Sequence, residues 1–170
     1  MALQATAQAE QAPYAGLETR DIAALSPSDI NDLLNGRGWG FALAAELNGF
    51  PGPTHVLELA NELDLTVAQS DQIERIRQDM AEEAKVLGAA FVSVEAELDS
   101  AFEDATITTS ALTDLTTRAA AIKAELRAVH LAAHLDVTPL LSRHQIVTYN
   151  RLRGYGDAEQ SHGGGGHGNH

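Results

Sequence analysis

The chain has 170 residues, a net charge of −13 from 24 Asp plus Glu against 11 Lys plus Arg, and no cysteine. That length suffices for one domain with its own core. The charge argues against a nucleic-acid binder, which needs a basic face for phosphates, and the missing thiols exclude disulfides and thiolate metal sites.

Aromatic residues are 5 % of the chain and alanine is abundant, which favours helices over a sandwich or barrel. No run reaches the roughly 18 apolar residues of a membrane helix. Met1–Leu17 lacks the basic flank and apolar run of a signal peptide, so export implies a leader outside this chain. Residues 1–20, Ala/Gln-rich and patternless, are expected to form a mobile tail. Ser26-Pro27 with Asp29 predicts a helix start, running to about Leu34. A glycine-rich break (Gly36, Gly38, Gly40) and a short piece over Phe41–Leu47 follow. The break lacks the pattern and preceding strand of a phosphate loop. Trp39, Phe41 and Phe50 are expected to pack these short helices onto the rest.

Pro53 opens a helix over Thr54–Leu63, with Val56, Leu59, Ala60 and Leu63 on one face and His55, Glu58 and Glu62 on the other. Thr66-Val-Ala-Gln69 is a capping box. The three-and-four spacing of Ile73, Ile76, Met80, Leu87, Val94 and Leu98 then predicts one helix of nearly forty residues. Gly88 is its weak point, costing about 1 kcal/mol relative to Ala. After a turn at 104–108, Leu112, Leu115, Ala119, Ile122, Leu126, Val129 and Ala133 define a second long helix, antiparallel to the first. Val137-Thr138-Pro139 ends it. Ser142-Arg-His-Gln145, a second capping box, starts a last helix to about Arg153, and a Gly/His tail with His162, His167 and His170 closes the chain. The expected architecture is all-α: a long antiparallel hairpin with short N-terminal helices and a C-terminal helix. Residues 21–155 form the domain, between tails 1–20 and 156–170.

His130 and His134 sit four apart, on one face of the return helix. Such a pair can hold a divalent transition metal. It is equally what two surface histidines flanking a coiled-coil seam look like. The residue after His130 is Leu131 rather than Glu, so the metalloprotease motif is missing its general base. No nucleophile elbow or other enzyme signature appears, and a non-enzyme is expected.

The two Leu-(Thr/Ser)-x-x-Gln elements, LTVAQ at 65–69 and LSRHQ at 141–145, bracket the hairpin. That layout resembles the Spy/CpxP-type LTxxQ proteins of the periplasm over roughly Pro51–Tyr155. The resemblance implies an all-α fold, a periplasmic location and a cradle-like homodimer. It also implies one of two roles. The first is binding of zinc, copper, nickel or cobalt in metal sensing or resistance, with a membrane-bound signalling partner. The second is ATP-independent chaperoning of unfolded clients. By likeness to the metal-sensing branch, the ligands fall on His55, Glu58, Glu74, His130 and His134. Hairpin register, with the turn near residue 106, sets His130 level with Glu82, and Glu74 about one turn beyond His134. Glu82 is therefore the alternative carboxylate.

Overall fold

The computed structural model describes residues 12–155; both outer ends, including His162, His167 and His170, lie outside the described residues. Six α-helices occupy it: α1 (Pro27–Leu34), α2 (Leu43–Glu46), α3 (Pro53–Glu58), α4 (Val67–Glu103), α5 (Thr109–Val137) and α6 (Arg143–Leu152). Single 3-10 turns cover Leu17–Thr19 and Thr138–Leu140. The third helix is shorter than Thr54–Leu63, because Leu59 already leaves helical geometry and Asp64 turns to φ 49°.

α4 has 37 residues and α5 has 29. At 1.5 Å per residue the first spans about 55 Å. Antiparallel packing of the two buries Phe91, Val94, Leu115, Ala119 and Leu126. Ile22, Leu25, Leu33 and Phe41 of the N-terminal segment close this core from one side. A second core lies at the open end of the hairpin. There Val56, Leu63, Ile73, Val137, Leu141 and Tyr149 join α3, α4, α5 and α6.

Gly88 is no defect in α4. A Cβ there would lie 2.1 Å from the Leu33 carbonyl oxygen, so the end of α1 crosses α4 backbone to backbone at this residue. The same crossing continues at Gly36, whose φ of +65° suits glycine and whose missing Cβ leaves room for the Ala81 carbonyl.

The two Leu-(Thr/Ser)-x-x-Gln elements meet in space. Thr66 and Ser142 each cap their helix through the amide N–H three residues on. Gln69 Oε1 accepts from the Thr66 N–H (3.0 Å), and Gln145 Oε1 from the Ser142 N–H (2.8 Å). The two amides then pair with each other, Gln69 Nε2 to Gln145 Oε1 at 3.0 Å and Gln145 Nε2 to Gln69 Oε1 at 3.2 Å. Their remaining protons reach across to the chain leading into the other helix, Gln69 to the Leu140 carbonyl (2.8 Å) and Gln145 to the Leu63 carbonyl (3.1 Å).

Two substitutions test this packing. Gly88→Ala, which would gain about 1 kcal/mol in an unobstructed helix, is expected to lose about 1–3 kcal/mol through overpacking against Leu33, measured by urea unfolding. In a double-mutant cycle, Gln69→Ala and Gln145→Ala should each cost about 1–3 kcal/mol. Their coupling should reach about 1 kcal/mol; strictly additive losses would mean the glutamines act only as separate caps.

Candidate functional site

A cavity of about 320 Å³ opens between the N-terminal segment and the hairpin, with Trp39, Glu46, His55, Met80, His130 and His134 in its wall. Each of these side chains has a local reason for its place. Asp29 closes the α1 capping box, its Oδ2 accepting from the Ser26 N–H at 2.9 Å, and its Oδ1 accepts from Trp39 Nε1 at 2.8 Å. The Ser26 hydroxyl, the Trp39 indole and the Ser26 amide together hold the Asp29 carboxyl below its ordinary value. Trp39, kept at φ 39° in the glycine-rich break, meets Phe41 edge-on at 5.4 Å. Phe41 in turn stacks on His130 at 5.9 Å.

His130 and His134 are both buried, at 3 % and 7 % exposure. They leave the hairpin seam as expected, yet do not reach solvent, because residues 38–52 fold over that flank. His134 Nδ1 donates to the Phe50 carbonyl at 2.6 Å. His130 Nε2 has no protein partner. Burial, and then the neighbouring His134, hold the His130 pKa below its ordinary value, so the ring is neutral near pH 7.

The acid beside this pair is Glu46 of α2, 7 % exposed. Tyr149 donates to its Oε1 at 2.5 Å and Tyr155 at 3.1 Å, and Arg153 Nε lies 3.4 Å from the same oxygen. Oε2 lies 3.8 Å from His134 Nδ1 and has no hydrogen-bond partner. Burial and the bond to Glu46 push the Tyr149 hydroxyl above its ordinary pKa. A Cβ on Gly52 would come within 2.8 Å of His134 Nε2 and 3.5 Å of Glu46 Oε2, so only glycine fits beside both.

Of the five residues expected as ligands, His55, His130 and His134 line the same cavity. Glu58 is exposed and takes a hydrogen bond from His55 Nδ1 at 3.0 Å. Glu74 faces elsewhere. Arg77 and Gln78 hold its carboxylate at 2.8 Å or less, and these bonds pull its pKa down to about 2. Glu82 is exposed on α4 and does not line the cavity. Among the described residues, no three His, Asp or Glu side chains stand grouped so as to hold one ion. Sequence reasoning passed over Glu46. Its only signal is an acid inside the Ala/Leu-rich stretch Phe41–Leu47, and nothing local says which way it points.

Residues 54–153 match the family described as LTXXQ motif family protein. That is well over half of the chain, and the chain belongs to this family, whose members are non-catalytic and typically periplasmic. Glu46 and the whole segment over the histidines precede the matched region. No curated protein and no solved structure matches the chain. No helix among the described residues is long and apolar enough to cross a membrane.

Asp29→Ala is expected to cost about 1 kcal/mol at neutral pH and to loosen Trp39, read from its fluorescence. Because the folded-state pKa of Asp29 lies below its ordinary 3.8, the stabilisation is present above that value. It is lost as pH falls through the lower folded value, so the difference between wild type and variant should shrink in acid unfolding curves.

Proposed function

We propose that the protein is a periplasmic, ATP-independent chaperone-type stress protein that works as a homodimer and shields unfolded chains. The observation that carries this reading is family membership across both capping boxes and the hairpin between them. The surface adds apolar side chains for clients to meet, among them Leu34, Leu43, Leu47, Val86 and Leu135, each more than two-fifths exposed. Scattered apolar residues are ordinary on any surface. The net charge of −13 on the whole chain adds attraction for basic clients and repulsion of acidic ones.

A second reading is a divalent transition metal, zinc or copper before nickel or cobalt, held by His55, His130 and His134 in sensing or resistance. It is favoured by the three imidazoles on one cavity. It requires those rings to move together on binding and takes no part of Glu74, which Arg77 occupies.

The test is aggregation of reduced lysozyme, a basic client, followed by light scattering with EDTA present and no nucleotide. Suppression at near-equimolar chaperone, weakening as salt screens the charge, is the expected result. No suppression at any salt removes the first reading. Suppression that appears only with added zinc, and is lost in His130→Ala/His134→Ala, moves the function to the second.

A further inference from the structure

A second cleft lies beside the histidine cavity, where residues 39–44 meet the middle of α5. Its volume of about 540 Å³ is inside the range of organic-ligand pockets, about 300 to 1,000 Å³. Trp39, Phe41, Leu43 and Ala44 give it apolar walls, and Leu43 is 57 % exposed, so apolar surface is left uncovered there. Lys123 and Arg127 are its only charged lining residues, and no carboxylate or histidine lines it.

That lining runs against the chain as a whole, in which acids outnumber bases 24 to 11. Lys123 and Arg127 stand four apart on α5, the spacing at which like charges face and repel one another. Neither makes an ion pair with a carboxylate among the described residues. The Lys123 ammonium also has a fixed place: its Nζ lies 5.2 Å from the centre of the Trp39 ring, and Asp29 holds that ring through Nε1 at 2.8 Å. Two cations at an apolar cleft are complementary to an anionic head on a hydrocarbon body. The head is a single small group, because the −13 carried by the whole chain repels a polyanion or an extended anionic surface.

We propose that this cleft is a binding site for a small amphiphilic organic anion of the fatty-carboxylate type. Its carboxylate accepts from Lys123 and Arg127, and its hydrocarbon body packs against Trp39, Phe41, Leu43 and Ala44. The apolar walls precede the family-matched region, whereas both cations lie inside it. The site exists only where residues 39–44 are folded onto α5, and it stands or falls independently of client binding and of metal binding at the histidines.

Trp39, the only tryptophan of the chain, lines the cleft and reports on occupancy. Full-length protein in EDTA is titrated with octanoate, and in parallel with 1-octanol, octylamine, inorganic phosphate and phosphatidylglycerol vesicles, while Trp39 fluorescence and thermal unfolding are followed. A saturable fluorescence change and a raised Tm with octanoate alone are expected. Lys123→Gln/Arg127→Gln, at two exposed positions where folding is not at stake, should weaken octanoate at least about tenfold. Lys123→Arg/Arg127→Lys, which keeps both charges, should still bind. Leu43→Glu leaves the cations in place and should abolish binding by setting a like charge in the apolar wall. An equal response to the alcohol or the amine means the cations play no part, and one to phosphate means the apolar walls play none. Either result, binding to the vesicles without a response to octanoate, unchanged affinity in the double Gln variant, or no saturable response overturns the proposal.

Discussion

The fold depends on the paired amides of Gln69 and Gln145. A hairpin as long as α4 and α5 is held along its length by apolar packing, and at its open end the glutamine pair ties α4 to α6 beside the second core. Each glutamine first closes the N-terminus of its own helix and then uses its free amide to bind the other glutamine and the chain leading into the other helix. Four polar groups are satisfied by two side chains, and at Gln145 this happens at 8 % exposure. An Asn would be one methylene too short for the capping box to reach back, and Glu would place like charges together at 3 Å. The Leu-(Thr/Ser)-x-x-Gln spacing is therefore a tertiary device as much as a helical one.

Around this fastening the N-terminal segment acts as a cover. The return helix presents His130 and His134 on a flank that the hairpin alone would leave wet. Residues 38–52 dry it by stacking Phe41 on one ring and giving the Phe50 carbonyl to the other. The crossing of α1 over α4 at Gly88 fixes where that cover begins, since any Cβ there would push Leu33 away. Trp39, locked by Asp29, carries the constraint from α1 to the cavity.

The hairpin, its turn near residue 106, both capping boxes and the break at Pro139 were legible in the sequence, because each is a local signal: three-and-four periodicity, a capping residue, a proline. The site was legible only in part. His130 and His134 were found by their spacing and His55 by likeness, and the three share a cavity. Glu58 and Glu74 were placed by likeness and distance along the chain, and neither distance nor likeness can tell that Arg77, three residues on, takes Glu74 for a surface pair. Glu46 was missed because its burial is decided by residues about a hundred positions away, Tyr149 and Tyr155, which no local pattern connects to it. The pairing of Gln69 with Gln145 was hidden for the same reason: a capping box explains each glutamine completely until the partner is seen.

Burial of Glu46 shows how the cover and the C-terminal helix depend on one another. A carboxylate removed from water loses several kcal/mol of hydration, which only good hydrogen bonds and a nearby opposite charge offset. The two hydroxyls and the Arg153 guanidinium supply this for one oxygen. They all come from α6 and the residues just after it, so the seat of α2 is built on the helix that the glutamine pair joins to α4. The second oxygen gains nothing from that assembly, since His134 gives its Nδ1 proton to Phe50 and stands 3.8 Å off. A glutamine at position 46 would satisfy the tyrosines at a lower desolvation cost. The carboxylate at 46 therefore draws its hydrogen bonds on one oxygen and leaves the other buried without a partner, so the seat of α2 rests on the groups that α6 and the residues after it supply.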